Sequence, residues 1–403
     1  MELLLMSKKE LSRVEVLERM KAKKMTQKKG AEALGLSVRQ VRRLQKKYAE
    51  KGAAGLIHQG RGKPGNNRLP IETRREAINL LHSLYSDFGP TFAHEKLVEN
   101  HGLNLSTGSV RQIMISEKLW VPRKAKKIVT HQMRERRACF GELVQIDGSP
   151  HRWFEDRAPS CTLLVFIDDA TGRLNELRFV KSESFFTYAE ASKAYFERHG
   201  KPVALYSDKH GIFRVNQPSI GAGESLTQFG RAMQELDVAI ICANTPQAKG
   251  RVERVNETLQ DRLVKEMRLR GISGMDEGNA YLPEFIEDFN RRFAVVPRSD
   301  YDAHRPLLIS DDLERILTWQ ETRTLSKNLT LQFKKVVYQI QTERPTYALR
   351  KAKVTVCQNA EGKITILYKD KELAYSIFKK QAKQSQVLSS KDVNRKVEKV
   401  RKK

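Results

Sequence analysis

The chain has 403 residues, which predicts two to four domains, and its formal net charge is +26. It contains no apolar run of 18 residues, and its first residues are too short an apolar stretch for a signal peptide, so we expect neither a membrane span nor secretion. The four cysteines form no CxxC pair, which argues against a disulfide framework or a cysteine-rich zinc site and favours reduced thiols in the cytoplasm.

The positive charge lies at the two ends of the chain. Residues 1–140 contain 30 Lys and Arg against 13 Asp and Glu, and residues 381–403 contain eight against two. The intervening residues are nearly balanced, with 36 basic and 33 acidic side chains. Basic flanks suit a polyanion, because Lys and Arg neutralise phosphates and release counterions. A solvated basic surface is the alternative, but the charge coincides with the helical motifs described next, which favours nucleic acid.

Residues 1–60 are predicted to form a helix-turn-helix domain. Thr26 and Ser37 are suitable N-caps for two short helices, and Gly35 between them is a suitable C-cap. Apolar residues at helical spacing turn one side of the second helix inward, which leaves a basic outer face for DNA. The expected DNA contacts on that face are Ser37, Arg39, Gln40, Arg42 and Arg43. An αα-hairpin inside a helical bundle is the alternative interpretation.

Residues 61–69 are predicted to be a basic linker, because Gly, Pro and Asn alternate with basic side chains. Arg61, Lys63 and Arg68 are its candidate DNA contacts, although a solvated linker without DNA contacts fits the pattern equally well. A second, less basic helix-turn-helix domain is predicted over 70–122, and a basic connector over 123–140. The candidate DNA contacts of the second domain are Ser109, Arg111 and Gln112, and a purely architectural role is its alternative.

Residues 141–295 show the alternation of an α/β domain. Strand-like runs occur at 142–147, 161–168, 175–182, 202–207 and 237–243. The first three are closely spaced, which favours an antiparallel meander. Helical patterns separate and follow the later runs, in the order βββαβαβα. We therefore expect a mixed five-stranded sheet with helices on both faces.

Three acidic residues stand at informative positions in this domain. Asp147 and Asp208 each end an apolar run, and Glu253 lies near the start of a long helical pattern. Carboxylates at strand ends meet at the open edge of an α/β sheet, where they repel one another unless cations neutralise them. Hard oxygen ligands of this kind suit Mg²⁺ or Mn²⁺, and a pair of such ions is a standard device of phosphodiester chemistry.

The segments around these residues resemble a known family. Gln145–Ser149, Tyr206–His210 and Ala243–Arg254, in this strand order, are similar to the RNase H-like core of DDE transposases and retroviral integrases. They look most like bacterial insertion-sequence transposases of the ISNCY type, and the resemblance extends over roughly residues 10–380. The chain departs from the family pattern in two ways. The segment between Asp208 and Glu253 is longer than in many relatives, and residues 217–225 look like the insertion. The N-terminus also has no His-His-Cys-Cys zinc module of the integrase kind.

The resemblance implies a DNA transposase. Helix-turn-helix units would bind the terminal inverted repeats, and Asp147, Asp208 and Glu253 would hold two Mg²⁺ or Mn²⁺ ions for strand cleavage and transfer. Lys249, Arg251 and Arg254 would hold DNA phosphates around Glu253, with simple charge balance as the alternative. The family further implies a homodimer or larger assembly on double-stranded DNA, in the bacterial cytoplasm at the nucleoid. A transposon-derived regulator without catalysis and an RNase H-like nuclease are the other functions considered.

Other polar residues compete for these roles. Asp168 and Asp169 also follow a strand, but they precede Ala170–Arg173 and are expected to shape a turn. Glu257 lies one turn after Glu253 on the same helical pattern, so Glu253 is preferred for its place at the helix start. His210 could approach a phosphate or serve as a surface hydrogen-bonding group.

The C-terminal region changes character after a connector at 296–322. Short alternating runs between 323 and 380 predict a small β-barrel, which could bind DNA or a neighbouring subunit or be purely structural. Residues 381–403 have few apolar side chains, so we expect a basic tail that is disordered until it meets DNA.

Overall fold

The computed structural model describes residues 4–62, 68–122, 135–208, 210–213, 226–242, 250–342, 349–378 and 389–401. The chain divides into two compact units, Met1–Ile128 and Val129–Lys403, and each is described here by itself. Within the described ranges, no helix is long and apolar enough to cross a membrane.

The first unit begins with three helices and a short 3₁₀ turn. They are α1 (Lys8–Lys21), α2 (Gln27–Leu34), α3 (Val38–Lys51) and the turn Gly52–Leu56. The Thr26 and Ser37 side chains cap α2 and α3 by accepting hydrogen bonds from backbone N–H groups, as the sequence predicts. Gly35 ends α2 with a left-handed φ of 61°, which places α3 across the apolar side of α1.

Three further helices complete the described part of this unit. They are α4 (Ile71–Ser83), α5 (Pro90–His101) and α6 (Thr107–Ser116). Gly102 ends α5 in the left-handed region, and Ser106 caps α6. The rings of Tyr85, Phe88 and Phe92 pack against one another and are buried. This three-helix element therefore has an aromatic core of its own.

The second unit contains a five-stranded mixed sheet. Its strands are β1 (Leu143–His151), β2 (Cys161–Asp168), β3 (Leu174–Val180), β4 (Ala204–Ser207) and β5 (Ala239–Cys242), and they lie in the order β3-β2-β1-β4-β5. The β1–β2 and β2–β3 pairs are antiparallel, whereas β1–β4 and β4–β5 are parallel. The mixed five-stranded sheet predicted from the sequence is confirmed.

Helices cover both faces of this sheet. They are α7 (Phe185–His199), α8 (Gln228–Glu235), α9 (Gly250–Leu269) and α10 (Met275–Phe293). Val144 and Ile146 of β1 pack with α7 and α8, while β2 and β3 side chains pack on the other face with α9 and α10. Because strand side chains alternate, Gln145 and Asp147 point to the α9 side. This alternation decides which helix can reach the acidic residue of β1.

The C-terminal strands do not form the barrel that the sequence analysis expected. After α11 (Leu313–Ile316), the described strands make two separate sheets around one apolar core. The four-stranded sheet has the order β11-β10-β9-β6 and the three-stranded sheet the order β12-β8-β7. The strands are β6 (Trp319–Thr324), β7 (Thr330–Phe333), β8 (Val336–Ile340), β9 (Lys353–Gln358), β10 (Ile364–Tyr368), β11 (Lys371–Glu372) and β12 (Tyr375–Phe378).

In the described residues the C-terminal strands do not close into a barrel, because β6 and the next strand, β7, belong to different sheets. The chain turns after β6, with Leu329 at a left-handed φ of 57°, and β7 then pairs with β8 instead of β6. Short alternating strands specify a buried face, but they do not specify which strands pair to close a ring. The tail also differs from expectation, since Ser390–Arg401 forms a helix, α12, capped by Ser389.

Candidate active site

Asp147 and Asp208 are brought together by the register of two parallel strands. Leu143, Val144 and Gln145 of β1 lie opposite Ala204, Leu205 and Tyr206 of β4. The ladder ends at the pair Gln145 and Tyr206, so Asp147 and Asp208 each lie two residues beyond its last pair, and by strand alternation they share the face of Gln145. Neighbouring strands are about 4.8 Å apart, so the two backbones approach closely enough for both carboxylates to share a cation. Both side chains are half-buried.

Helix α9 runs alongside β1 and is fixed to it at three levels. Arg251 forms an ion pair with Asp169, which also accepts a 2.7 Å hydrogen bond from Gln145 Nε2. One level on, Asn256 Nδ2 donates to Asp147 Oδ2 at 2.9 Å. At the third level, Gln260 Nε2 donates to Ser149 Oγ at 3.1 Å. The helix therefore runs in the same direction as β1.

Glu253 lies on the first turn of α9 and is exposed. It precedes Asn256 by three residues, so the two side chains are neighbours on the helix surface. Because Asn256 contacts Asp147 directly, Glu253 stands on the turn of α9 next to the acidic pair. The structure thus places Asp147 in the middle of β1, Asp208 directly after β4, and Glu253 on the first turn of α9, the helix that contacts Asp147.

A fourth acidic residue, Glu183, borders the site. Its carboxylate lies so close over Gly148 that a Cβ at this position would collide with it. The buried Tyr188 hydroxyl donates to Glu183 Oε2 at 2.8 Å. Burial first, then the negative charges of Glu183, Asp147 and Asp208, raise the pKa of Tyr188. The Tyr188 hydroxyl therefore remains a neutral donor beside a strongly negative region.

The neighbouring Asp168 and Asp169 have structural roles, as the sequence analysis expected. Asp168 is fully buried and accepts hydrogen bonds from the backbone N–H and hydroxyl of Thr171 and from the N–H of Gly141. Burial raises the pKa of Asp168, and these hydrogen bonds oppose that shift. Asp169 is likewise buried and binds Arg251, Gln145 and the backbone N–H of Arg137. Neither carboxylate is directed into the Asp147–Asp208 pair.

The donor set at this edge fits a divalent cation in part. Asp147 and Asp208 supply carboxylate oxygens on adjacent strands, which Mg²⁺ and Mn²⁺ prefer. Asp208 Oδ1 also accepts a 3.0 Å hydrogen bond from the backbone N–H of His210, which orients this carboxylate. In the portion of the chain that the structure describes, no three His, Cys, Asp or Glu side chains are close enough together to hold an ion. Asp147 and Asp208 are thus the pair that fits, with Glu253 on the adjoining helix.

The DNA contacts predicted on α3 are all exposed, but several have partners within the protein. Ser37 and Gln40 form a reciprocal capping box at the start of the helix. Arg42 Nε donates to Gln27 Oε1 of α2 at 3.0 Å. Within the described helices, neither Arg39 nor Arg43 pairs with an acidic side chain. These two arginines are therefore the residues of α3 best placed for a polyanion.

The linker arginines differ from each other. Arg61 binds Glu10 of α1 and the Leu5 carbonyl, whereas Arg68 is exposed. Hydrogen bonds from the Ser7 backbone and the Arg61 side chain, with a further one from His58, lower the pKa of Glu10 to about 2. Lys63 and Lys249 lie outside the described residues.

The remaining predicted DNA contacts lie on α6 and α9. On α6, Arg111 and Gln112 are exposed, and the Arg111 guanidinium stands over the Trp120 ring, while Ser109 bonds to its own cap Ser106. On α9, Arg254 is exposed with its Nε donating to the Gly250 carbonyl at 2.8 Å. Arg251 is directed to Asp169 and is largely withdrawn from the surface.

Sequence analysis missed Asn256, Gln145 and Glu183. Asn256 follows Glu253 by one helical turn, so its spacing alone could have placed it beside the acidic residue. Gln145 is a fully buried polar residue inside an apolar strand, which is itself a signal of a specific partner. Glu183 carries no such signal, since it stands before α7 among polar residues and meets Gly148 only through the fold.

Comparisons with known proteins agree with these features. Residues 12–65 match the family model described as a helix-turn-helix domain. The chain is 49% identical over 381 residues to the putative transposase y4bF of Sinorhizobium fredii (strain NBRC 101917 / NGR234), covering 94% of this chain and 83% of that protein. It is 30% identical over 393 residues to the transposase for insertion sequence IS1202 of Streptococcus pneumoniae, covering 86% of this chain and 82% of that protein.

Solved structures with weak similarity are retroviral. The simian T-cell lymphotropic virus intasome in complex with PP2A regulatory subunit B56 gamma matches with a TM-score of 0.32 and 15% identity, covering 74% of this chain and 95% of that chain. The trimeric HTLV-2 integrase catalytic core domain in complex with magnesium matches with a TM-score of 0.27 and 18% identity, covering 36% and 84%. The fold assignment therefore rests on the strand order and register given above.

Proposed function

The chain belongs to the family of insertion-sequence transposases, and on this premise we propose that it binds the terminal inverted repeats of its element and catalyses metal-dependent strand cleavage and strand transfer. The observation that supports the proposal is the parallel pairing of β1 with β4, with Asp147 and Asp208 each two residues beyond the last pair, together with the contact of Asn256 on the helix of Glu253 with Asp147. Family membership establishes a DNA-acting transposase, and the residue roles given next are our proposal.

DNA recognition is assigned to the first unit. Its helix-turn-helix places α3 as the recognition helix, which in such motifs enters the major groove. The exposed Arg39 and Arg43 would contact base edges or phosphates, with Arg68 adding a phosphate contact from the linker. We assign α6, with Arg111 and Gln112, to a second stretch of the repeat. The high positive charge of residues 1–140 supports this division.

Catalysis is assigned to the edge of the five-stranded sheet. Asp147, Asp208 and Glu253 would hold two Mg²⁺ or Mn²⁺ ions. When bound, such ions supply activation of a water or 3′-hydroxyl and stabilisation of the leaving oxygen. Asn256 Nδ2 donates to Asp147 Oδ2 and so orients this carboxylate. Outer hydrogen-bond partners of this type orient ligands before the ion arrives.

The assembly and its location follow from the substrate. Two transposon ends must be held together for transfer, so we propose a homodimer or larger complex on double-stranded DNA. The reaction would take place in the cytoplasm, at the nucleoid, where donor and target DNA lie. The C-terminal sheets and α12 would contact DNA or a neighbouring subunit.

The test is Asp147→Asn in the full chain. This change keeps the shape of the side chain but removes the charge that a divalent ion requires. We expect binding of an end-containing DNA duplex to stay within about twofold, while cleavage and joining in Mg²⁺ fall by more than about 100-fold, beyond the loss seen when an outer-shell partner is removed. Gel-based cleavage, strand-transfer and mobility-shift assays measure the three steps.

Asp156→Asn is the matched control, because Asp156 lies beyond the same strand with an exposed carboxylate that pairs only with neighbouring Arg152 among the described groups. Joining that survives in Asp147→Asn would contradict the proposal. Cleavage without any transfer to a second duplex in the unaltered protein would favour a nuclease, and binding without cleavage would favour a regulator.

A further inference from the structure

The start of α9 is held by a buried ion pair that the proposed chemistry does not use. Asp169 has no exposed side-chain surface, and the Arg251 side chain that pairs with it is 19% exposed. Asp169 Oδ1 receives both Arg251 and Gln145 Nε2, and Asp169 Oδ2 receives the backbone N–H of Arg137 at 2.9 Å. One carboxylate therefore joins the residue that precedes the sheet, strand β1 and helix α9.

This carboxylate is itself firmly placed relative to β1. The backbone N–H of Asp169 donates to the Leu143 carbonyl at 2.9 Å, and Gln145 reaches it from the same face of β1 that carries Asp147. A buried charge with several donors is costly to move, because any displacement breaks hydrogen bonds where no water replaces them. Asp169 is thus a fixed point on the sheet.

The spacing of the contacts sets α9 in register with β1. Nine residues from Arg251 to Gln260 rise about 13.5 Å along a helix. Four residues from Gln145 to Ser149 rise about 13 Å along a strand. The two lengths agree, so the contacts at Asp169–Gln145 and at Ser149 are compatible with one straight helix, and Asn256 meets Asp147 between them.

Glu253 stands between the first and second of these contacts. The first turn of a helix lacks part of its internal hydrogen bonding and opens more easily than its middle. Arg251 precedes Glu253 by two residues, so its ion pair with Asp169 restricts the motion of the turn that carries the Glu253 carboxylate. Asn256 anchors the turn after it, so Arg251 and Asn256 together enclose Glu253.

We propose that the Arg251–Asp169 ion pair is a positioning device that holds the first turn of α9, and so Glu253, against the side of β1 that carries Asp147. This inference rests on the proposed function, and it replaces the sequence-based expectation that Arg251 contacts DNA. Neither residue touches a reacting atom; both act through the placement of the Glu253 carboxylate. A misplacement of about 1 Å in such a site costs about 100-fold in rate.

The experiment compares Arg251→Gln, Arg251→Lys and Asp169→Asn in the full chain. Single-turnover cleavage at saturating end DNA gives the rate, a mobility-shift titration gives the DNA affinity, and Mn²⁺ titration followed by electron paramagnetic resonance without DNA gives metal binding. We expect Arg251→Gln and Asp169→Asn each to slow cleavage by about 10- to 100-fold and to weaken Mn²⁺ binding by about 10-fold. Arg251→Lys should retain part of the cleavage rate and part of the Mn²⁺ affinity that Arg251→Gln loses. The DNA affinity of all three variants should stay within about twofold of that of the unaltered protein.

Asp169→Asn distinguishes a positioning role of the ion pair from a DNA contact by Arg251. A buried acidic residue cannot bind a phosphate, so an effect of this change does not come from a lost DNA contact of Asp169. The combined Arg251→Gln, Asp169→Asn variant should be no slower than the worse single variant, since both changes break one interaction. Arg268→Gln is the matched control, because Arg268 is on the same helix and pairs with Glu155 at 3.0 Å, far from Glu253. Its rate and Mn²⁺ binding should stay within about twofold of the unaltered protein.

A loss of DNA affinity in Arg251→Gln, with an unchanged rate at saturation, would overturn the inference in favour of a DNA contact. Unchanged cleavage and Mn²⁺ binding in Asp169→Asn would overturn it as well. If Asp169→Asn fails to fold, as judged by circular dichroism, the result depends on Arg251→Lys, which keeps the charge. An unaltered protein that neither cleaves nor joins would instead contradict the proposed function.

Discussion

The helix-turn-helix at Lys8–Leu56 and the five-stranded sheet are built on different principles. In the first region, caps, turn glycine and recognition arginines lie within one short stretch, and each helix is defined by neighbouring residues. In the sheet, Asp147 and Asp208 are separated by 61 positions, and only the parallel pairing of β1 with β4 places them on neighbouring strands. The proposed recognition surface is thus encoded locally, whereas the proposed acidic site depends on strand pairing and on the helix that runs alongside β1.

This difference has a consequence for the effects of substitution. A change in α3 alters one exposed contact and leaves the fold in place. A change in the sheet or α9 alters the distance between groups that belong to different elements. We therefore expect changes in the first region to act on DNA affinity and changes in the second to act on rate. Three experiments test this separation, and a fourth tests stability alone.

Metal removal should have the largest effect, because it should abolish catalysis by the second region and leave DNA binding by the first region unchanged. With EDTA in excess, we expect cleavage and joining to fall by more than about 100-fold, because the negative charges of Asp147 and Asp208 are then uncompensated. Binding of end DNA should be unchanged, since the helix-turn-helix needs no ion. Added Mg²⁺ should restore the rate, and cleavage that persists in EDTA would contradict a metal-dependent site.

Asn256→Ala should reduce cleavage by about 10- to 100-fold, because the Asp147 carboxylate loses the donor that orients it. DNA affinity, measured by fluorescence anisotropy, should stay within about twofold. Thr258→Ala is the control, because the Thr258 hydroxyl bonds only to the Arg254 carbonyl of its own helix in the described structure. Equal rates for the two variants would show that Asn256 has no part in the site.

Arg43→Gln should weaken end binding by about 5- to 10-fold, with the rate at saturating DNA preserved. Each phosphate contact that is lost lowers the slope of log affinity against log salt by about 0.9, so a salt titration distinguishes a phosphate contact from a base contact. Arg19→Gln, an exposed arginine on α1, is the charge-matched comparison. A slower rate at saturation would show that the separation between the regions fails.

His199→Gln should have the smallest effect, and on stability alone. Burial first, then neighbouring His304, Arg198 and Arg173, lower the pKa of His199 from 6.5 to about 4. Between pH 6.5 and 4, His199 is therefore protonated in the unfolded chain and neutral in the folded chain. The free energy of unfolding falls as pH is lowered through this window. His199→Gln should reduce that fall by on the order of 1 kcal/mol.

Urea unfolding followed by fluorescence at pH 7, 6 and 5 measures this difference. Glu10→Gln is the comparison in the first region, because the pKa of Glu10 is lowered from 4.5 to about 2. The contribution of Glu10 to the free energy of unfolding is present above pH 4.5 and is lost only as pH falls toward 2. Glu10→Gln should therefore leave the slope of the free energy of unfolding against pH unchanged between pH 6.5 and 4.5. Identical slopes for His199→Gln and the unaltered protein would contradict the prediction.

The sequence determined the elements that depend on neighbours in the chain. The caps Thr26, Ser37 and Ser106 and the mixed sheet follow from local residue patterns. Asp147 was expected at the end of its strand, but it is the fifth of the nine residues of β1, because pairing with β2 extends the strand to His151. Tertiary structure decided the rest. The C-terminal strands form two sheets in the described residues where a barrel was expected, because pairing between distant strands is not written in their alternation.

The same limit applies to individual side chains. By sequence, Arg251 and Arg254 are equivalent basic neighbours of Glu253, yet the fold turns Arg251 onto buried Asp169 and leaves Arg254 exposed. The helix periodicity fixes the angle between them, but only the packing of α9 along β1 decides which one meets the sheet. The sequence thus singled out Asp147, Asp208 and Glu253 as candidates, and the tertiary structure showed which groups contact Asp147 and Asp169, because burial and strand register are properties of the whole fold.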